Sequence, residues 1–273
     1  MSGTGFWVEL HAAERRLGGG FLLTRRHVLT AFHCLRGSVA QGEPVDVVLA
    51  DGTRLAGRVS RCDPSADLAL VTVLDPHRGS VRIPAAGTAR SGDAWHGPYR
   101  PARTEAQLLG TVDHPALDYE SASGEQIQAI QLRTHPDGLG DYSGYSGGPV
   151  VKGAPDDPAP EILGILLEQL PDRFTPGRAA GVLFAATIAE AFRRFDVLEV
   201  EYLMDRLRPA DPLSGDHERA ADRTPRAARV LVGQVLVMID AWAGRASVDA
   251  SLVSELKFDI EKAVERQLGG DPV

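Results

Sequence analysis

Gly144-Tyr145-Ser146-Gly147-Gly148-Pro149-Val150 is the stretch on which the reading of this chain turns. Glycines on both sides of a serine let the backbone fold tightly, present the hydroxyl and aim neighbouring N–H groups at one point. A nucleophilic serine needs that arrangement, because the attacking oxygen and the oxyanion it creates must be handled together. A glycine-rich turn without chemistry fits the same residues, so the company the stretch keeps has to decide.

Two segments upstream supply that company. Gly18-Gly19-Gly20-Phe21-Leu22-Leu23-Thr24 is followed by His27-Val28-Leu29-Thr30-Ala31-Phe32-His33-Cys34-Leu35, which sets His33 at the end of an apolar strand. Asp67-Leu68-Ala69-Leu70-Val71 sets a carboxylate at the mouth of another, where it can be shielded and bonded to an imidazole. Alone, His33 reads as a core histidine and Asp67 as a turn residue after Pro64. In the order His33, Asp67, Ser146, each in its own context, chance rarely assembles all three.

On these pieces, together with an Asp51-Gly52 hairpin, the chain resembles the trypsin/chymotrypsin-fold serine peptidases of compact bacterial HtrA-like type, over about residues 6–195. The resemblance implies a mainly β fold, a double six-stranded β-barrel with the site in the cleft between barrels. It implies His33 as general base, Asp67 as the group that orients it, and the N–H groups of Gly144 and Ser146 as oxyanion hole. It draws the specificity pocket from Gly140-Asp141-Tyr142-Ser143, from Leu167-Glu168-Gln169 and from the strand beginning at Gly181. An acidic Asp141 there favours Arg or Lys substrates, against the plainer reading of a solvated loop aspartate.

Departures from the family pattern matter as well. Tyr145 stands where animal digestive relatives carry an aspartate that pairs with a newly cleaved amino terminus, so no such processing is expected. No cysteine precedes Cys34 to bond with it, and Leu167 takes the place of a serine that often supports the triad aspartate.

The 273 residues carry 29 basic and 37 acidic side chains, a net charge of −8, and only 3 of the basic ones are lysines. That balance argues against nucleic acid as a partner, since phosphate binding draws on clustered Lys and Arg. The amino terminus has no basic region ahead of its apolar stretch, and the most apolar segment, Val230 to Ala243, is shorter than the ~20 residues a bilayer requires. No membrane and a cytoplasmic location are expected, with Cys34 and Cys62 as reduced, buried thiols. The histidines lack metal-ligand spacing and no nucleotide-binding fingerprint occurs, so no cofactor and no metal are expected.

Short runs bounded by Gly, Pro and Asp read as strands: Phe6–Leu10, Phe21–Thr24, Val45–Ala50, Arg54–Val59, Leu68–Leu74, Leu108–Val112, Ile127–Leu132, Val150–Val151, Ile162–Leu167 and Gly181–Ala185. After Thr187 the period turns helical. The expected organisation is a peptidase domain over residues 1–195 and a small C-terminal α-helical module over 196–273, with a Pro-rich linker at about 208–226. Helices are expected over Arg229–Trp242 and from a cap at Ser247 or Asp249 through Leu252, Leu256, Ile260 and Val264 to a stop at Gly269-Gly270. The layout, without any specific sequence match beyond 197, resembles bacterial effector-associated peptidases of signalling and conflict systems. That implies a protein substrate, and a regulatory or substrate protein docked through the C-terminal helices. The competing readings are a catalytically silent scaffold acting through the module and an HtrA-like quality-control protease.

Overall fold

The computed structural model describes residues 5–207, except 76–80, 82, 103, 122–123, 136–138, 156, 158 and 176. The helical module and linker expected from about 208 onward lie outside the described residues. Hydrophobic alternation builds the first barrel. In β1 (Trp7–Ala12), Val8 and Leu10 point inward and are fully buried, while in β4 (Pro44–Leu49) Val45, Val47 and Leu49 do the same. These two strands pair with one another, and β2 (Arg15–Leu22), β3 (His27–Ala31), β5 (Arg54–Asp63) and β6 (Leu68–Val73) complete a closed ring in the order β1-β2-β3-β6-β5-β4. The Asp51-Gly52 turn joins β4 to β5, Gly52 adopting a positive φ of 90°.

The second barrel consists of β8 (Ala94–Gly97), β9 (Leu108–Glu120), β10 (Gln126–Thr134), β11 (Pro149–Lys152), β12 (Glu161–Pro171) and β13 (Ala179–Thr187). Its ring closes because β11 pairs with both β8 and β12. A two-residue strand, β7 (Ala85–Ala86), runs parallel to β12 on the outside of that ring. The chymotrypsin-like double barrel expected from the sequence is therefore the fold.

Each barrel has its own apolar interior, and a third cluster lies between them. There Phe21, Leu29 and Leu68 of the first barrel meet Ile127, Ile165 and Leu167 of the second. Two helices after β13 cover the same cluster: α2 (Ile188–Arg194) through Ile188 and Phe192, and α3 (Asp196–Leu207) through Leu198 and Tyr202. Thr187 caps α2 by accepting the Glu190 N–H at 3.0 Å. Tyr202 Oη accepts the Ala86 N–H at 2.7 Å, and Glu201 meets the buried His27 at 3.1 Å, so α3 is tied to the strands before it. The chain divides into one compact unit over Met1–Arg206 and another over Leu207–Val273. Residues 196–206, expected to belong to the helical module, thus sit on the barrels. At the tip of the β12–β13 hairpin, Phe174 is 94% exposed.

Candidate active site

A single helical turn, α1 (Phe32–Leu35), follows β3 and carries His33. It is held by the residue that opens β6: the Phe32 N–H donates to the Asp67 carbonyl at 2.9 Å, and the His33 N–H to Asp67 Oδ1 at 2.8 Å. The second carboxylate oxygen, Oδ2, lies 2.6 Å from His33 Nδ1. Asp67 reaches both because its backbone sits in the left-handed region, φ 54°, which a non-glycine residue adopts only when its surroundings enforce it. The enforcement comes from the turn before it, where Asp63 Oδ1 accepts the N–H groups of Ser65 and Ala66. Hydrogen bonding to Asp67 is the largest cause raising the His33 pKa, from 6.5 to about 10.

Ser146 occupies the turn before β11. Gly144 and Gly147 have φ of 89° and 82°, and the turn is internally bonded from Tyr145 N–H to the Tyr142 carbonyl and from Gly148 N–H to the Tyr145 carbonyl. Among the described residues, the N–H groups of Gly144 and Ser146 donate to no backbone carbonyl of a turn or loop, which leaves them for an incoming oxyanion. Ser146 Oγ donates to the Leu167 carbonyl at 3.1 Å.

The Ser146 turn rests on the glycine run of β2, which explains that run. The Gly19 N–H donates to the Ser146 carbonyl at 3.3 Å, and a Cβ on Gly147 would stand 2.1 Å from the Gly19 carbonyl oxygen. On the other side, Tyr99 fills the space next to Gly19, whose Cβ would meet the ring at 2.5 Å. Cys34 Sγ also reaches the Ser146 carbonyl, at 3.7 Å. Both Cys34 and Cys62 are free thiols, half-buried rather than buried.

His33, Asp67 and Ser146 line one cavity of about 390 Å³. Its far wall is apolar, from Tyr142, Leu166, Leu167 and Leu183, with Glu168 and Gln169 beside them and Arg36 also contributing. Leu167 and Glu168 are therefore brought to the site, whereas Gly140, Asp141 and Gly181 do not line the cavity. The Asp141 carboxylate is bonded by its own loop and by β12, its Oδ1 accepting the Ser143 N–H at 2.9 Å, Ser143 Oγ at 2.7 Å and Gln169 Nε2 at 3.2 Å. These bonds, Ser143 foremost, hold its pKa below the ordinary carboxylate value. The Gly181 carbonyl accepts Thr134 Oγ1, which also bonds Tyr142 Oη. Opposite Glu168 stands Tyr119, stacked on Phe184 at 4.2 Å; burial, then the Glu168 charge, push its hydroxyl pKa up.

Tyr142, Ser143 and Gln169, expected beside the pocket, line the cavity. Sequence reasoning missed Tyr99 and Arg16. Tyr99 has no local signal, since only the fold brings it under β2. Among the described residues no group of metal-binding side chains occurs, and no helix is long and apolar enough to cross a membrane.

With this geometry in hand, comparison with known proteins is informative. Residues 18–154, half of the chain, match the family model described as the trypsin-like peptidase domain. In structure the chain is similar to Rv3671c of M. tuberculosis H37Rv. An inactive serine-to-alanine mutant gives a TM-score of 0.53 at 18% identity, covering 76% of this chain and 90% of that one. The active form gives 0.52 at 20% identity, covering 76% and 84%. The HtrA-type protease AlgW with a decapeptide gives 0.53 at 16% identity, covering 73% of this chain and 65% of that one. At such identities the likeness is one of fold. No curated protein matches the chain.

Proposed function

Because this chain belongs to the family of trypsin-like peptidase domains, we propose that it hydrolyses peptide bonds of a protein substrate through His33, Asp67 and Ser146. The observation that carries the reading is the convergence of those three side chains on one cavity, with His33 doubly bonded to Asp67. In the forward step His33 Nε2 takes the Ser146 hydroxyl proton as Oγ attacks the scissile carbonyl. The N–H groups of Gly144 and Ser146 receive the oxyanion, each such donor being worth roughly 3 to 4 kcal/mol in the transition state. The imidazolium, stabilised by Asp67, then protonates the leaving amine, and water reverses the sequence on the acyl-enzyme.

The cavity wall of Tyr142, Leu166, Leu167 and Leu183 favours an apolar side chain before the cleaved bond. We set that choice above the Arg or Lys preference expected from Asp141, whose carboxylate is bonded by Ser143 and Gln169 and does not line the cavity. Ser146→Ala in the full chain tests the assignment. A loss of roughly 10⁴ to 10⁶ in kcat on an apolar-P1 peptide is expected, and wild-type turnover by that variant would overturn it.

We further propose a cytoplasmic bacterial effector peptidase whose protein partner docks through the segment after residue 207. Two free thiols fit a reducing compartment. Co-purification with a Ser146→Ala trap should recover a dedicated substrate; a broad set of unfolded proteins would favour quality control instead.

A further inference from the structure

An oxyanion hole accelerates a reaction only if its donors are aimed before the oxyanion forms. Here the turn that carries them contains Gly144 and Gly147, both at positive φ, and glycine resists rotation less than any other residue. Something outside the turn has to hold it. On one side, Tyr145, 2% exposed, donates its hydroxyl to the Ala106 carbonyl at 2.7 Å. On the other side the first barrel reaches across. Arg16, at the start of β2, donates from Nη2 to the Gly144 carbonyl at 3.0 Å and to Tyr99 Oη. Its guanidinium carbon lies 5.6 Å from the centre of the Tyr99 ring, which is 1% exposed and packed edge-on against Trp7 at 5.8 Å.

From this geometry we propose that Arg16, oriented by Tyr99, is a positioning residue for the oxyanion turn. A charge-assisted bond to the Gly144 carbonyl fixes the peptide plane between Gly144 and Tyr145. With that plane fixed, ψ of Gly144 is held, and its N–H can swing away only by a compensated turn of ψ at Ser143 and φ at Gly144, with Ser143 itself tied to Asp141 through its N–H. The brace joins the two barrels, so the turn is set when they dock, and Tyr145 needs no charged partner of its own. The proposal rests on the assignment of Ser146 and Gly144 made above.

The test compares Arg16→Gln, Arg16→Lys and Tyr99→Phe in the full chain, using an apolar-P1 peptide amide and a peptide boronic acid that mimics the tetrahedral intermediate. Active sites are counted with a fluorophosphonate so that every rate is per competent molecule. Arg16→Gln should lower kcat about 10- to 100-fold, the scale of one lost charged hydrogen bond, with KM nearly unchanged and boronate affinity falling in parallel. Arg16→Lys keeps a cationic donor and should recover part of that loss. Tyr99→Phe removes only the orienting hydroxyl and should show the same pattern at about 3- to 10-fold, which keeps the test available if Arg16→Gln does not fold. Wild-type kcat per site in both Arg16→Gln and Tyr99→Phe overturns the proposal, as does a fall in kcat without a fall in boronate affinity. Failure of the Ser146 assignment is read separately, from an active Ser146→Ala.

Discussion

At His33 the bond that orients the ring also holds its proton. A pKa near 10 makes the resting residue an imidazolium at neutral pH, and an imidazolium has no lone pair to offer a serine. Ser146 Oγ instead donates a hydrogen bond to the Leu167 carbonyl. A general base must be neutral, so kcat/KM should climb with pH well above the ordinary histidine range, levelling only as pH approaches 10. Stability runs the other way. The folded pKa lies above the unfolded value of 6.5, so the stabilisation from the His33–Asp67 pair is complete below 6.5 and is lost as pH rises through 10. A pH–rate profile with its limb near 6.5 would contradict this, while Asp67→Asn should bring the limb down and cut kcat by about 10⁴. These residues were legible because strand, turn and catalytic type coincide in short segments. Of the two readings of Asp141, the loop aspartate matches the local structure, since Asp141-Tyr142-Ser143 is a side-chain-capped turn in which the carboxylate accepts the Ser143 N–H.

Among the elements, α2 does more than cover the cluster between the barrels. Arg194, whose side chain is 14% exposed, binds Glu190 at 2.8 Å, Asp63 at 3.0 Å and Ser65 Oγ at 2.9 Å. The helix thereby grips the turn that forces Asp67 into its strained backbone. The fully buried Glu190 is also held by Arg193, whose Nε and Nη2 reach its two carboxylate oxygens, so loss of Arg194 falls mainly on Asp63 and on the tie between helix and turn. Arg194→Ala should therefore cost about 1.5–3 kcal/mol of stability, the scale of a lost charged hydrogen bond, checked by denaturant titration, and Arg194→Lys should recover part of it. Nothing in the sequence joined Arg194 to Asp63, since such ties depend on how the elements dock. Strand ends were hard to read for a similar reason. β9 was expected to stop at Val112, ahead of Pro115, yet it runs to Glu120. Beyond Thr111 the strand has β10 on one side only, so a proline without an N–H is tolerated there. Strands β7 and β8 were missed because two to four residues carry too little pattern to register.

For the whole molecule, the place of α3 decides where the peptidase can be cut. Leu198 and Tyr202 are buried against the barrels, so a chain ending at residue 207 should stay soluble and cleave small peptides while losing its docked partner. Ending at 195 should strip both side chains from the core and cost roughly 3 to 6 kcal/mol, lowering the melting temperature and favouring aggregation. Light scattering and a peptide assay on the two truncations separate these outcomes. The closed rings have a consequence for shelf life. A peptidase binds its victim as an extended, unpaired chain, and every strand of both barrels already has neighbours on either side over part of its length. The enzyme thus offers few segments to its own kind. The β12–β13 tip is the conspicuous exception, because Phe174 stands in solvent and carries an apolar side chain of the kind proposed above for the cavity. Stored preparations should acquire a nick after Phe174, visible as a paired mass, with the halves held together by β12 and β13. Phe174→Asp should keep the stock intact.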